Sequence, residues 1–184
     1  LHLCHHNLET INNTTSMTTH KLLAEVCMAA EYEGQSIKTH YTPHKEKYKN
    51  TGTASQLCTV LARSFADIGD TVRGRDLYRG DNREKKKLDD SLKKIFGKIY
   101  DNLVREKPQA KEHYEDGAPE FYKLREDWWE LNRLEVWKAI TCNAQGSQYF
   151  RGTCSNDTTS AKNNCQCIAG EVPTNLDYVP QFLR

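Results

Sequence analysis

The chain has 184 residues, which is enough for one domain or for a piece of a larger one. Its formal net charge of +1 and mean hydropathy of -0.81 give it no general attraction to nucleic acids or membranes. No apolar run approaches the roughly 20 residues of a membrane span, and no signal peptide opens the sequence, so we expect any membrane anchor to lie outside it.

Seven cysteines are spread along the chain and indicate an oxidising compartment with a disulfide framework. Because seven is odd, at least one thiol is free or has its partner elsewhere, and Cys4, near the first residue, is the natural candidate. The other six can pair in fifteen ways, and their spacing does not choose among them. His5 and His6 follow Cys4, but no second ligand pair stands at a zinc-finger spacing, so we expect neither a metal site nor a cofactor.

Apolar periodicity predicts an all-α fold of four helices with little or no sheet. The predicted helices cover residues 18–37, 57–78, 84–105 and 119–142. Thr18 or Thr19 would cap the start of the first helix. Residues 38–52 are predicted to form a loop, because Pro43 interrupts the segment and Gly52 closes it.

The helix predicted for residues 57–78 has one apolar face and several charges. Its apolar residues recur at spacings of three and four: Leu57, Val60, Leu61, Phe65, Ile68 and Val72. Its charged residues fall around the rest of the circumference: Arg63, Asp67, Asp70 and Arg73. Charges so close to a core need partners, so we interpret them as structural ions rather than as catalytic groups. Gly69 and Gly74 weaken a helix, which predicts a close packing partner or a break near Gly74.

The clearest amphipathic pattern lies in the helix predicted for residues 84–105. Its apolar face comprises Leu88, Leu92, Ile95, Phe96, Ile99 and Leu103. Beside that face runs a second stripe, which is cationic: Lys87, Lys94, Lys98 and Arg105. If this chain touches a ligand directly, we expect an anionic glycan on this cationic stripe. The predicted loop before it would add three accessory lysines: Lys45, Lys47 and Lys49.

An alternative interpretation is that the cationic stripe is an ordinary solvated helix face. Asp90 precedes Lys94 by four residues, and Asp101 likewise precedes Arg105, so each acid could form an ion pair on the helix surface. Such pairs stabilise a helix by only a few tenths of a kcal/mol. The pattern alone therefore does not decide between ligand contact and solvation.

The end of the chain combines a broad apolar helix with an irregular cysteine-rich segment. The helix predicted for 119–142 carries large apolar residues: Phe121, Leu124, Trp128, Leu131, Leu134 and Trp137. Trp129, Val136 and Ile140 widen this face, which predicts burial between several helices. Residues 143–178 are rich in small polar side chains and are expected to need disulfide staples.

Several stretches of the sequence resemble one family, in that family's order and almost from end to end. These stretches are Leu22-Leu23-Ala24-Glu25-Val26-Cys27, Asp67-Ile68-Gly69-Asp70 with Val72-Arg73-Gly74-Arg75-Asp76, Trp128-Trp129-Glu130, Val136-Trp137-Lys138-Ala139-Ile140-Thr141-Cys142, and Val179-Pro180-Gln181-Phe182-Leu183-Arg184. The sequence is similar to the Duffy-binding-like domains, and most to the alpha class that opens Plasmodium falciparum erythrocyte membrane protein 1. The resemblance implies a disulfide-braced helical bundle and a fragment of one such domain.

Under this resemblance the chain divides into three parts. Residues 1–15 would end subdomain 1, residues 16–142 would form the helical core, and residues 143–184 would be a cysteine-rich segment that leads into subdomain 3. We predict three disulfides and a Cys4 left for an upstream partner: Cys27–Cys142, Cys154–Cys165 and Cys58–Cys167. An exchange of partners between the two closely spaced cysteines, Cys165 and Cys167, stays open.

The sequence contains none of the common catalytic motifs, such as a glycine-rich phosphate loop, His-Glu-x-x-His or Gly-x-Ser-x-Gly, so we predict no enzyme activity. The resemblance instead implies a host-receptor-binding adhesion module of a variant surface antigen on malaria-infected erythrocytes. Such a module mediates cytoadherence or rosetting from the extracellular face of the infected erythrocyte membrane.

The resemblance also implies the partners. They are a host cell-surface receptor or glycan, with heparan sulfate, blood-group sugars and complement receptor as the family's known ligands, and host antibodies. We expect no binding to nucleic acid, and we expect attachment to a membrane only through a distant anchor outside this chain. One alternative is a structural scaffold whose neighbouring domains bind the receptor. A third interpretation is an unrelated, disulfide-braced bundle of the cytokine type.

Overall fold

The computed structural model describes residues 17–47, 56–77, 83–114, 119–147, 152–155, 158–161 and 164–184. In the first of these ranges the side chains are described for residues 18–41, and in the second for residues 57–77. The helices are α1 (Met17–Lys47), α2 (Gln56–Arg73), α3 (Arg83–Glu106), α4 (Ala110–His113) and α5 (Tyr122–Thr141). Two 3-10 turns follow, at Leu176–Tyr178 and Gln181–Leu183. Within the described ranges, extended pairing is limited to one antiparallel bridge, Cys154–Thr159, so the all-α prediction is confirmed.

Helix α1 is longer than predicted. It continues past Ile37 to Lys47, so the predicted loop is wrong for residues 38–47. Pro43 lacks an N–H group and removes one backbone hydrogen bond, but no glycine stands in this stretch to end the helix. The side chain of Thr39 donates to the Gln35 carbonyl oxygen at 2.9 Å, a local bond that is compatible with helix.

Helix α2 ends at the predicted break. Gly74 has φ +72°, a conformation that glycine adopts without steric cost. The Gly74 N–H donates to the Thr71 carbonyl at 3.2 Å, and the Arg75 N–H donates to the Asp70 carbonyl at 2.7 Å. This pair of bonds is the Schellman motif, which satisfies carbonyls that a helix end would otherwise leave unpaired. The helix therefore stops at Arg73, before the predicted residue 78.

The described chain forms two compact units, each with its own core. The first unit contains Cys27–Ile68 and Arg133–Arg184. In its described part, the second unit contains residues 17–26 and Gly69–Asn132. Helices α1, α2 and α5 thus each supply residues to both units.

The first unit is built around an aromatic pair and the partly buried Arg133. The ring of Phe65 meets that of Trp137 edge to face, with centroids 5.2 Å apart. The Trp137 Nε1–H donates to the carbonyl oxygen of Cys165 at 3.1 Å, which ties the irregular segment to α5. Arg133 donates to both carboxylate oxygens of Asp177, at 2.7 and 2.8 Å, so the segment is also held by a bidentate pair.

The disulfides differ from the predicted pairs. The structure joins Cys58 to Cys165 and Cys154 to Cys167, so the predicted Cys58–Cys167 and Cys154–Cys165 bonds are wrong by an exchange of partners. The reason is local. The Cys165 N–H donates to the Ser147 carbonyl at 3.1 Å, and with the bond from the Trp137 indole this places Cys165 against the start of α2.

The predicted Cys27–Cys142 disulfide is also wrong, because both cysteines are free thiols in the structure. Cys27 lies beside Glu135, whereas Cys142 lies beside Glu31, so the register of α1 against α5 puts the two sulfurs on different helical turns. Burial, with a contribution from Glu135, raises the pKa of Cys27 to about 11. This thiol is therefore protonated and unreactive at neutral pH. Cys4 lies outside the described residues.

The second unit buries the predicted face of α3. Its buried apolar residues are Leu88, Leu92, Ile95, Phe96 and Ile99. Phe96 meets Trp128 edge to face at 6.0 Å. Gly69 lies against the ring of Trp129, where an added Cβ would approach to 2.8 Å. The close packing partner predicted for Gly69 is thus confirmed.

A buried arginine, Arg125, holds the end of α2 in the second unit. Its side chain is fully buried, and its Nε–H donates to the Val72 carbonyl at 2.6 Å. A second guanidinium nitrogen donates to the Thr71 carbonyl at 3.0 Å and to Asp89 at 3.1 Å. Burial lowers the pKa of Arg125, and the neighbouring Asp89 carboxylate opposes that shift. The guanidinium thus supplies donors to carbonyls at the end of α2.

Three charges of α2 are paired, as interpreted from the sequence: Asp67, Asp70 and Arg73. Asp70 bonds Arg73 at 3.1 Å, and Arg73 also bonds Glu126 at 3.0 Å. Asp67 lies 3.7 Å from Arg184. Arg63 is exposed.

Two residues assigned to apolar faces are exposed instead. Leu131 is 82% exposed, because it lies on the side of α5 opposite the buried Trp129 and Val136. Val60 is 39% exposed, since it stands at the edge of the apolar stripe of α2 rather than at its centre.

Two helical glycines offer a test of the packing. A Cβ at Gly34 would overlap the backbone carbonyl of Ile140, whereas a Cβ at Gly97 would lie 3.5 Å from the Phe121 ring, an ordinary contact. We expect Gly34→Ala to lower the free energy of unfolding by about 2 kcal/mol through overpacking. Gly97→Ala should raise it by about 1 kcal/mol through helix propensity. Urea unfolding followed by circular dichroism measures both, and equal effects would contradict this packing.

Candidate ligand-binding surface

Helix α3 presents the cationic stripe to the outside, beside the apolar face that is buried in the second unit. The four predicted side chains are all exposed: Lys87, Lys94, Lys98 and Arg105. At 100° per residue they fall within an arc of about 40°. At about 1.5 Å rise per residue, successive cations stand roughly 10, 6 and 10 Å apart along the axis, over about 27 Å.

The two acids on the same side of α3 do not neutralise the stripe by the expected pairs. Asp90 and Asp101 are both exposed. Over the whole of α3, no ion pair joins Asp90 to Lys94 or Asp101 to Arg105. The argument from helix-surface ion pairs therefore does not apply to these two pairs.

Two other lysines near the stripe have structural roles. Lys93 pairs with Glu120 at 2.7 Å and with Asp89 at 3.2 Å. The hydrogen bond to Glu120 raises the pKa of Lys93, and the same bond lowers the pKa of Glu120. Lys85 pairs with Asp76 at 3.0 Å. These lysines are compensated by carboxylates and are excluded from the candidate surface.

Arg83 extends the cationic stripe, and the sequence analysis missed it. It is exposed, and it precedes Lys87 by four residues, which puts it on the same side of α3. Helix α3 begins at Arg83, one residue before the predicted start. Its spacing from Lys87 was the signal that could have found it.

The accessory lysines are not placed on a loop. Lys45 and Lys47 belong to the last part of α1, so their assignment to a loop is wrong. Lys49 lies outside the described residues, as do His5 and His6.

Metal binding has one geometric candidate in the described ranges. Cys154, Cys167 and Glu171 have ligand atoms close enough to share an ion, but the two sulfurs are joined as a disulfide. Thiolates are the metal-binding form of cysteine, so this group offers no sulfur ligand. Of the helices described, none is long and apolar enough to cross a membrane.

The fold and this surface define a disulfide-linked helical domain with an exposed cationic helix face. The chain belongs to the Duffy binding domain family, whose model matches residues 1–184. A comparison with curated proteins finds no match.

The chain is similar to solved domains of one membrane protein of Plasmodium falciparum. It is 42% identical to the NTS-DBL1(alpha-1) domain of membrane protein 1 (PfEMP1) from the varO strain, with a TM-score of 0.75 over 99% of this chain. It is 31% identical, with a TM-score of 0.68 over 99% of this chain, to the PfEMP1 IT4var13 DBLbeta domain bound to ICAM-1. A further structure, that of the ICAM-1-binding PfEMP1 IT4var13 DBLbeta domain, is 32% identical to the chain, with a TM-score of 0.66 over 90% of this chain. The chain spans 40%, 40% and 34% of those three chains.

Proposed function

We propose that this chain is part of an adhesion module that binds a ligand on the surface of host cells. The observation that carries the proposal is the 42% identity to a PfEMP1 alpha-class domain along 99% of the chain. The complex of the DBLbeta relative with ICAM-1 supports a host surface protein as one class of partner. An adhesion module of this kind acts by binding and needs no catalytic residues.

The proposed contact surface within this chain is the cationic stripe of α3, and the proposed ligand is an anionic glycan. Lys87, Lys94, Lys98 and Arg105 are exposed along one helix side, at a spacing that suits repeated negative groups on a linear polysaccharide. Each exposed charge contributes about 1 kcal/mol at most, so binding by one copy should be weak and sensitive to salt. Many copies on a cell surface would strengthen it through multivalency.

The remaining assignments follow from the family and complete the proposal. The module would act at the extracellular face of the infected erythrocyte membrane, in cytoadherence or rosetting, and would be a target of host antibodies. Heparan sulfate, blood-group sugars and complement receptor are the candidate ligands. Residues 1–15, 16–142 and 143–184 would be the end of subdomain 1, the helical core and the approach to subdomain 3.

One observation favours a second candidate function, that of a structural scaffold. The chain spans only 40% of the length of two similar structures, so the receptor contact of the intact domain could lie in the part that this chain does not include. Binding measurements on this chain alone and on a longer chain distinguish the two functions.

Neutralising the cationic stripe should weaken heparin binding. We expect the triple variant Lys94→Gln, Lys98→Gln and Arg105→Gln to bind about tenfold or more weakly than the native chain, because three cationic contacts are lost. Elution from a heparin column in a salt gradient measures this effect, and the variant should elute at lower salt.

The matched control removes three exposed cations elsewhere, through Arg63→Gln, Lys107→Gln and Lys111→Gln. This control has the same net charge as the stripe variant and should elute close to the native protein. Circular dichroism checks that all three proteins fold. Equal elution of the two variants would remove the stripe as the contact surface and leave the adhesion proposal to other surfaces.

A further inference from the structure

Two cysteines of the irregular segment are held in place by bonds other than the disulfide that joins them. The Cys154 N–H donates to the Thr159 carbonyl at 2.9 Å, and the Thr159 N–H donates back to the Cys154 carbonyl at 3.0 Å. Cys167 follows Cys165 by two residues, and Cys165 is fixed to α2 by its own disulfide with Cys58. Each of the two backbone stretches would therefore keep a support of its own if the Cys154–Cys167 bond were broken.

Glu171 is brought to the same two sulfurs by a turn. The Gly170 N–H donates to the Cys167 carbonyl at 3.1 Å, and Gly170 has φ +75°, a conformation open to glycine without steric cost. The chain turns back here, and the Ser155 N–H donates to Oε1 of Glu171, which orients the carboxylate. A carboxylate oxygen of Glu171 and the two sulfurs all lie within 4.8 Å of one another. These are three ligand atoms of the kinds that zinc binds.

The surroundings of the two sulfurs suit a metal that is bound by thiolates. Cys154 and Cys167 are 2% and 7% exposed, and they pack with the fully buried Ala161. A thiolate without a partner is costly at this depth, whereas a divalent cation between two thiolates neutralises them. Thiolate ligands select zinc, since calcium and magnesium prefer oxygen ligands. Glu171 is more exposed than either cysteine, so an ion can enter from its side.

We propose that reduction of the Cys154–Cys167 disulfide converts this staple into a zinc site formed by Cys154, Cys167 and Glu171. A small dithiol supplies two electrons and two protons: the sulfur–sulfur bond breaks, two protein thiols form, and the dithiol closes to a cyclic disulfide. Zinc then binds both sulfurs as thiolates and releases their two protons. Three protein ligands leave the fourth tetrahedral position to water.

The zinc ion would tie together the same two stretches that the disulfide ties in the oxidised chain. A reducing environment would then exchange one cross-link for another rather than release the segment. The site involves no residue of the cationic stripe, so the inference stands apart from the proposed glycan contact.

The test is a zinc titration of the full chain in its oxidised and reduced forms, followed by isothermal titration calorimetry. The reduced form is prepared with an excess of a small dithiol, which is removed by gel filtration without oxygen. We expect one zinc ion per reduced chain and none per oxidised chain. Peptide mapping after alkylation should find Cys154 and Cys167 alkylated and Cys58 still linked to Cys165, because the latter two cysteines are fully buried.

Variants assign the ligands. Glu171→Gln should weaken zinc binding by the reduced chain about tenfold or more, since even the outer partners of metal ligands contribute about 10–100-fold. The matched control Glu130→Gln removes an exposed carboxylate of α5 and should change binding by less than about twofold. Cys142→Ser removes the exposed free thiol and should also leave binding unchanged. The double variant Cys154→Ser and Cys167→Ser should bind no zinc, while circular dichroism checks that it folds.

Each other outcome overturns the inference. Equal zinc binding by the oxidised and reduced chains would show that the disulfide does not control the site. Unchanged binding in Glu171→Gln, or loss of binding in Cys142→Ser, would place the metal on other ligands. A reduced chain that loses its helical circular dichroism signal would show that the supports of Cys154 and Cys167 do not hold without the disulfide. None of these results bears on heparin binding, which tests the proposed function separately.

Discussion

Replacing both Cys58 and Cys165 with alanine is expected to lower the free energy of unfolding by about 5 kcal/mol. The bond joins residues 107 positions apart, and in the chain-entropy model a loop of this size restricts the unfolded chain by about 4.7 kcal/mol. Both cysteines are fully buried, so small cavities add to the loss. Urea unfolding under non-reducing conditions, followed by circular dichroism, measures the change.

The second disulfide provides the control. Cys154 and Cys167 are only 13 positions apart, so their replacement by alanine should cost about 3 kcal/mol. If the two double variants are equally stable, or if the shorter loop matters more, the entropic explanation fails. Peptide mapping of the native protein without reduction should recover Cys58 linked to Cys165, and a link from Cys58 to Cys167 would contradict the structure.

Replacing Arg125 with methionine is expected to lower the free energy of unfolding by about 3 kcal/mol. The loss removes the guanidinium donor of the Val72 carbonyl and one of the two donors of the Thr71 carbonyl, which keeps its bond from the Gly74 N–H. It also takes one of the two cations from Asp89. Lys93 still pairs with Asp89, which keeps the cost near the lower end of the range of about 3–5 kcal/mol for broken buried pairs. Unfolding in urea, monitored by tryptophan fluorescence, gives the value.

Arg75 is the matched control for Arg125. It pairs with Glu126 at 2.7 Å, but its side chain is 58% exposed. An exposed ion pair contributes about 1 kcal/mol or less, so Arg75→Met should have a small effect. A similar loss in both variants would mean that the burial of Arg125 and its bonds to the end of α2 do not stabilise the second unit as described.

The helical core could be predicted from the sequence because its signals are local. The apolar spacing in residues 88–99 places five side chains of α3 in the core, and the glycine at position 74 ends α2. Arg125 was not predicted to be buried, although it stands four residues before the buried Trp129 and so lies on the same face of α5. Its role depends on the α2 carbonyls, which lie more than fifty residues away in sequence.

The disulfide pairs could not be predicted for a physical reason. Cys165 and Cys167 differ by two residues, and only the hydrogen bonds of Trp137 and Ser147 decide which of them meets Cys58. The predicted Cys27–Cys142 bond is wrong because the register of one helix against another is set by tertiary packing, which the apolar periodicity of each helix does not reveal. The extension of α1 was not predicted because Pro43 favours a helix break, whereas α1 continues through it to Lys47.

The covalent link between Cys58 and Cys165 determines how the chain carries a mechanical load. A pull applied to its two ends passes through the sulfur–sulfur bond and bypasses the residues between the two cysteines. Helix α3 lies within that bypassed stretch, so the cationic stripe bears no tension along the backbone while the bond is intact. A reducing agent that breaks this bond would place α3 in the path of a force applied at the two ends.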